Sequence, residues 1–455
     1  MTVPGAASRA LRAAFTALAA LALAGATCQK PERPPLPPRA QAQALIDSGD
    51  PAQALAILER LRLESPSDLD LARLYAEASV RAGRGAELVA KLEKARPTAA
   101  NEYMRALVLF AQAQDATPDA VAAMQRALAL APDSAELHYR LGLMLLESEK
   151  YAASLAPLSR AAELSPDRGG YLLPLAKAKA RTGDAAGAVA ALHKLVDLGP
   201  TPAEVKTAHE LMESISDPFA GIPKAAQPKL DDAIAWLHTY DVPQQAIVQL
   251  EEILRDYPDL ALVHALLGLA YQRLDDAGRA VDELRRAIEL APAHGKFHQY
   301  LGELYLSRQR PDQARAELEK AVQLDPLLDE AYSELGDIAF HENDLEAAKR
   351  SYRTLTFLLP DAVGPRGKLA LVLQAQGDFA GAQRELRSAL DKEPDNVDLQ
   401  LRLGVLEADR ARDPAAPRAE RDRAAQEAEK WLRKVLEAQP DTAVASRALE
   451  SLQAR

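Results

Sequence analysis

Residues 258–292, PDLALVHALLGLAYQRLDDAGRAVDELRRAIELAP, contain the pattern that decides the fold. Within this stretch Leu267-Gly268, Ala280 and the closing Pro292 stand at places that residues 292–326 repeat with the same residue types. Prolines recur along the chain at a spacing of 34 residues, which is too regular to arise by chance. A fixed period of this length indicates an array of stacked structural units. The prolines recur 34 residues apart at Pro132, Pro166 and Pro200, and again at Pro258, Pro292, Pro326, Pro360 and Pro394.

Small and large side chains alternate at fixed places between these prolines when each proline is counted as position 32 of its unit. Small residues at positions 8, 20 and 27 allow two antiparallel helices to approach closely, while large residues at position 24 fill the space between them. Proline ends the second helix of each unit, and the Asp that often follows it, such as Asp259, is expected to cap the next helix. Position 8 is glycine at Gly142, Gly268, Gly302, Gly336 and Gly404, and position 24 carries Leu158, Leu284, Leu318 and Tyr352.

This pattern resembles the tetratricopeptide repeat family over nearly all of the chain beyond its N-terminal segment. The resemblance implies an all-α fold, a superhelical solenoid of antiparallel helix hairpins. We expect an N-terminal repeat segment at residues 41–216, a second repeat segment at 229–440 and a capping helix at 441–455. The spacer at 217–228 is rich in Pro and Gly, and the sequence leaves open whether it is a hinge or a solvated insertion.

Residues 1–27 have the features of a signal peptide. Arg9 and Arg12 precede an apolar run from Ala13 to Ala24, which is too short for an ordinary membrane-spanning helix. The only cysteine, Cys28, follows that run in a string that resembles the lipobox of bacterial lipoproteins, so we expect it to be lipidated. Gly25 and Thr27 depart from the usual lipobox residues, which keeps ordinary signal cleavage open as an alternative.

Residues 28–40 are expected to form an extended tether, because five prolines within eight residues cannot form a helix. Together with the signal peptide, this predicts an exported protein of the bacterial cell envelope. We expect it to be lipid-anchored to a membrane and to face the periplasm, or otherwise to be soluble in the periplasm or secreted.

The composition indicates no enzymatic site. The net charge of −11 argues against a nucleic-acid binder, and the chain contains no Gly-rich phosphate loop, nucleophile elbow or metalloprotease helix motif. His294 and His298 are four residues apart, but His294 lies in the turn after Pro292, so a metal pair on one helical face is not expected. We therefore expect no catalytic residue, no metal and no cofactor.

The resemblance also implies a binding groove lined by the first helix of each unit. The basic residues with which one subfamily grips a C-terminal carboxylate are absent here, and an acidic patch stands in their place. Such a patch suits a basic or polar ligand, although an ordinary acidic surface has the same composition. The expected groove contacts are Gln299, Glu303, Glu330, Ser333, Glu334 and Asp337.

Taken together, the sequence predicts a non-catalytic scaffold that binds partner proteins or peptides in the cell envelope. The alternative is an accessory lipoprotein of an envelope polysaccharide or pilus export or assembly system. A third class, an enzyme with an unrecognised site, has no motif in its favour. The oligomeric state is open.

Overall fold

The computed structural model describes residues 36–453, and within this range it contains 24 α-helices and no strand. The fold class expected from the sequence is therefore confirmed. The described chain divides into two compact units. The first comprises residues 36–113 and Ala122–Ala127, and the second comprises Gln114–Val121 and residues 128–453.

The first unit is built from five helices, and Pro118–Leu130 (α6) contributes residues to both units. Its first helix begins at Pro38, inside the predicted tether, where proline is tolerated because the first helical N–H groups have no partner within the helix. The helices are α1 (Pro38–Asp47), α2 (Pro51–Glu64), α3 (Leu69–Arg81), α4 (Gly85–Glu93) and α5 (Ala99–Ala113).

The second unit continues as a series of helical hairpins, in which each helix packs mainly on its neighbours in the chain. Its helices are α7 (Ala135–Glu147), α8 (Tyr151–Leu164), α9 (Leu172–Arg181), α10 (Ala185–Leu198), α11 (Pro202–Ile215), α12 (Gln227–His238), α13 (Pro243–Asp256), α14 (Ala261–Arg273), α15 (Ala277–Leu290), α16 (Gly295–Ser307), α17 (Pro311–Leu324), α18 (Asp329–His341), α19 (Leu345–Leu358), α20 (Val363–Ala375), α21 (Phe379–Lys392), α22 (Val397–Arg412), α23 (Arg418–Ala438) and α24 (Ala443–Gln453).

Position 8 is glycine because the facing helix leaves no room for a side chain. A methyl group added at Gly302 would lie 2.7 Å from Cγ of Leu318, and one at Gly336 would lie 2.5 Å from Cε1 of Tyr352. Both facing side chains are buried and stand at position 24 of the same unit. The close helix pairing that the repeat pattern predicts is therefore present within these hairpins.

A backbone conformation recurs in the turns between the two helices of a unit, and it was not expected from the sequence. One residue in each of these turns, except the turn between α22 and α23, has a positive φ, a conformation that most residues avoid. Its side chain differs from unit to unit, so the period is visible in the backbone and not in the residue type. The residues are Gly49, Gly83, Gln114, Glu149, Gly183, Asp241, Asp275, Gln309, Asn343 and Gly377.

The expectation that the Asp after each proline caps the next helix is wrong. Asp259 and Asp361 are exposed at the unit boundary, and their carboxylates pair with Arg286 at 2.8 Å and Lys392 at 2.6 Å. The residues at the N-cap of the following helices are Leu260 and Ala362, and neither caps its helix with a side chain. Apart from Asp68 before α3, the capping aspartates stand before second helices, where each accepts a backbone N–H: Asp50, Asp184, Asp276, Asp344 and Asp378.

The proline spacing is interrupted between Pro200 and Pro258 and again between Pro394 and Pro440, and both gaps contain additional helix. The first gap holds α11, which begins with a capping box between Thr201 and Glu204. The second gap lengthens helices α22 and α23 to 16 and 21 residues, joined by a short loop. An insertion between two packed helices is thus accommodated largely as extra helical turns.

Within the second unit, the helices before the spacer contact helices far along the chain. Leu195 and Met212 share one buried cluster with Leu327 and Leu358. A methyl group added at Gly199 would lie 2.8 Å from Cζ of Phe357. The domain boundaries at 217 and 228 stay predictions, and the segments on either side of that spacer touch through these residues.

Several expectations lie outside the described residues. These are the signal peptide at 1–27, lipidation of Cys28 and most of the tether at 28–40. Among residues 36–453, no helix combines the length and the apolar character that crossing a membrane requires.

Candidate functional site

The structure brings the six predicted groove residues together on two first helices of the second unit. Gln299 and Glu303 lie on α16, while Glu330, Ser333, Glu334 and Asp337 lie on α18. We call this set the acidic face. Each helix contributes residues three or four positions apart, so their side chains share one side of the helix.

Gln299 and Glu303 form the buried part of the acidic face. The Gln299 side chain is only 1% exposed, and its Nε2 donates a hydrogen bond of 2.6 Å to Oε1 of Glu303. Its Oε1 accepts no hydrogen bond within the described chain. Burial raises the pKa of Glu303, although the Gln299 hydrogen bond and Lys296 oppose that rise.

Two lysines stand beside the more exposed carboxylates. Lys296 Nζ lies 3.4 Å from Oε2 of Glu330, and Lys368 Nζ, from α20, lies 2.7 Å from Oδ2 of Asp337. Lys368 also donates a hydrogen bond of 3.2 Å to Oγ of Ser333. Both lysines therefore already have a carboxylate partner.

Glu334 lies at the centre of the acidic face. Burial, and then the negative charges of Glu303, Asp337 and Glu330, raise the pKa of the Glu334 carboxyl from 4.5 to about 8, with Lys296 opposing them. Its Oε2 is buried and has no hydrogen-bond partner within residues 36–453. A carboxyl group in this environment holds a proton at neutral pH unless a positive charge approaches it.

A cavity of about 640 Å³ opens beside Glu334 and Asp337. Leu306 and Ile338 form apolar parts of its wall, and Phe340, which is 36% exposed, lies one helical turn beyond Asp337. The acidic face therefore combines carboxylates with apolar surface and a space large enough for a side chain.

Neither lysine was among the groove contacts expected from the sequence. Lys296 stands at position 2 of its unit. This position commonly faces the groove in the tetratricopeptide family, so the repeat numbering could have predicted Lys296 as a groove contact. Lys368 stands at position 6 and reaches Asp337 and Ser333 from a neighbouring unit. Only the packing of α20 on its neighbours shows that contact.

Two of the histidines at position 4, His264 and His298, bond to the second helix of their own unit. His264 Nδ1 lies 2.6 Å from Oε2 of Glu283, and His298 Nδ1 lies 2.7 Å from Oε2 of Glu317. Burial opposes protonation of His264, but hydrogen bonds to Glu283 and to the carbonyl of Pro258 together raise its pKa. Among residues 36–453, no cluster of three or more His, Cys, Asp or Glu side chains is arranged to hold a metal ion.

A second, more apolar cavity of about 760 Å³ lies where helices α10 and α11 face residues 291–294 and 323–324. Its wall includes Val189, Met212 and Ile215. His193 Nε2 lies 3.0 Å from the carbonyl oxygen of Gln323 at its edge. This cavity lies where the helices before the spacer at 217–228 contact the helices after it.

Solved structures with a similar arrangement of helices cover very different shares of the chain. YrrB, described as a tetratricopeptide repeat protein with an unusual peptide-binding site, is 16% identical, with a TM-score of 0.39, and the match covers 44% of this chain and 97% of YrrB. PilF of Pseudomonas aeruginosa is 18% identical (TM-score 0.40; 51% and 97% covered), and Cut9 in its complex with Hcn1 is 14% identical (0.36; 91% and 95%). At such low identities and TM-scores these similarities carry no argument about function.

The search of curated proteins gave no match to this chain. A family model for the tetratricopeptide repeat matches residues 39–103, 103–168, 300–362 and 368–443, and a second model of the same repeat matches residues 272–326. The first model alone covers more than half of the chain. The matched residues contain the glycine and proline positions whose packing is described above, and the chain belongs to the tetratricopeptide repeat family.

Proposed function

We propose that this protein is a non-catalytic scaffold that binds partner proteins or peptides on the acidic face. The observation that carries the proposal is the convergence of Gln299, Glu303, Glu334 and Asp337 on neighbouring first helices, with Glu334 and Asp337 lining a cavity. Stacked hairpins place first helices side by side, so α16, α18 and α20 together offer a surface longer than any one helix provides. A partner segment lying across these helices would contact several units at once.

The proposal places this scaffold in the bacterial cell envelope, held to a membrane by a lipid on Cys28. The basic residues at 9 and 12, the apolar run after them and the cysteine that follows support this location. A lipid chain inserts into a membrane without a spanning helix.

A photo-reactive side chain on the acidic face tests the scaffold proposal. Phe340 shares the helical face of Ser333 and Asp337, so we expect Phe340→p-benzoylphenylalanine to cross-link to an envelope protein when native cells are irradiated. Mass spectrometry of the purified adduct identifies that protein. The aromatic ring is kept, so the change disturbs packing little.

Phe219 provides the matched control, because it is also an exposed phenylalanine, 51% accessible, but lies in the spacer. We expect Phe219→p-benzoylphenylalanine not to capture the same protein. An equal yield of that protein from both positions, or no adduct from Phe340, would contradict binding at the acidic face.

Metabolic labelling with radioactive palmitate tests the anchor. The wild-type chain is expected to incorporate label and to fractionate with membranes, whereas Cys28→Ala is expected to lose both properties. Wild-type protein that stays unlabelled while the cell's other lipoproteins are labelled would exclude the lipid anchor and leave ordinary signal cleavage.

A further inference from the structure

We propose that the acidic face binds the cationic side chain of an arginine or lysine in a partner peptide. This inference rests on the proposed function and adds the chemistry of the ligand.

The unsatisfied groups at the acidic face are acceptors. Gln299 is neutral, almost fully buried and directed at Glu303, yet its Oε1 has no donor within the described chain. Oε2 of Glu334 is also buried and has no donor within the described chain. A buried acceptor without a donor costs free energy, so both oxygens favour a ligand that brings N–H groups.

The charges favour the same ligand. Within the described chain, Lys296 pairs with Glu330 and Lys368 pairs with Asp337. Among the described residues, Glu303 accepts a side-chain hydrogen bond only from the Gln299 amide, and Glu334 forms no ion pair with a cation. An ammonium or guanidinium group between Glu303 and Glu334 would supply the missing positive charge and charge-assisted hydrogen bonds.

The cavity suits an arginine or lysine side chain because its walls are both apolar and acidic. Leu306 and Ile338 can contact an aliphatic stem, while Glu334 and Asp337 lie where the charged end would arrive. Glu342, also on the wall, is already paired with Arg315. The exposed side chains of Phe340 and Leu371 could contact apolar residues flanking the bound cation.

Proton release should accompany binding. The groups that shift the pKa of Glu334 are Glu303 and Lys296 on α16 and Glu330 and Asp337 on α18. His341 and Glu342, also on α18, line the same cavity as Glu334. Beyond them, Tyr352 from α19 and Lys368 from α20 both bond to Asp337. An incoming cation favours the ionised form of Glu334, so the bound ligand replaces a proton and affinity should rise with pH.

The test uses the full chain and a fluorescent, end-blocked hexa-arginine peptide, with binding followed by fluorescence anisotropy. We expect the double variant Glu303→Gln, Glu334→Gln to bind at least about ten-fold more weakly than the wild type, since it loses two charge-assisted contacts. The control variant Asp312→Asn, Glu319→Gln replaces the same number of carboxyl groups at exposed positions of α17 and should bind nearly as the wild type does. Equal weakening in both variants would overturn the proposal, because it would show general charge attraction.

Two further arms define the ligand. A hexa-citrulline peptide keeps the shape of the side chain without its charge and should not bind measurably, and spermidine should compete poorly, since it lacks a peptide's backbone and flanking residues. Competition by spermidine as strong as that by unlabelled hexa-arginine would overturn the assignment to a peptide. Wild-type affinity should increase several-fold between pH 6.5 and pH 9, and the double variant should lack this increase.

The outcomes separate this inference from the proposed function. If Phe340→p-benzoylphenylalanine still captures a partner while hexa-arginine binds the double variant as well as it binds the wild type, the acidic face is an interaction surface and the cation assignment is wrong. If Phe340→p-benzoylphenylalanine captures no protein, the proposed function is wrong, and the cation assignment that rests on it is wrong as well.

Discussion

Replacing Leu318 with alanine is expected to lower the free energy of unfolding of the second unit by about 2–5 kcal/mol. Leu318 is fully buried, and its Cγ fills the space against the backbone of Gly302. Removal of the side chain leaves a cavity that two helices already at close approach cannot collapse to fill. Urea unfolding followed by circular dichroism measures the loss.

The same contact predicts a coupling that a generic core position would not show. Gly302→Ala alone should destabilise by about 1–3 kcal/mol, because its methyl group would overlap Leu318. In the double variant Gly302→Ala, Leu318→Ala, that methyl group enters the vacated space. We therefore expect the double variant to be more stable than the sum of the two single losses by about 1 kcal/mol or more.

Gly278→Ala is the control for this cycle, because the nearest atom to an added methyl group there is 3.7 Å away and the site is exposed. It should leave stability unchanged or raise it slightly, since alanine favours helix. Strict additivity in the cycle, or a loss at Gly278 equal to that at Gly302, would show that close helix approach does not explain the glycine at position 8.

Glu334→Gln is expected to stabilise the protein at high pH. The unfolded chain releases the Glu334 proton near pH 4.5, whereas the folded chain keeps it until about pH 8. Because the folded state binds the extra proton between these values, the contribution of Glu334 to stability falls as pH rises through this window. Glutamine carries no such proton, so the variant avoids the loss. Glu334 is partly exposed, and solvent screening reduces the gain to about 1–2 kcal/mol at pH 9.

Urea midpoints at pH 5 and pH 9 measure this effect. The difference between Glu334→Gln and wild type should be larger at pH 9, while the exposed Glu319→Gln should show the same difference at both pH values. A Glu334→Gln variant less stable than the wild type at pH 9 would mean that Glu334 is satisfied in the folded protein. The expected gain would show that the chain retains a destabilising carboxylate at a surface suited to binding.

The hairpins could be predicted from the sequence because their packing recurs in every unit. Gly302 and Leu318 lie 16 residues apart in one unit, and the same pair of types at 268 and 284 gives the same close approach. Repetition turns a weak local signal, a Leu-Gly pair, into a strong one. The acidic face could be predicted in part from the sequence, because the repeat places Glu303 and Glu334 on the first helices of two neighbouring units.

The remaining features depend on geometry that a period does not encode. The contact of Leu195 and Met212 with Leu358 joins residues far apart in the chain, and it depends on how strongly successive hairpins rotate. The burial that leaves Gln299 Oε1 without a donor and raises the pKa of Glu334 likewise arises only when helices from adjacent units pack together. The turn at Gln309 has a positive φ without a glycine to indicate it.

Amide hydrogen exchange of the intact chain, free and bound to the partner captured at Phe340, tests the central claim most directly. If first helices form the binding surface, protection should increase in α16, α18 and α20 and stay nearly unchanged in α17, α19 and the spacer. Protection confined to second helices or to the spacer would show that the partner binds elsewhere and would contradict the account.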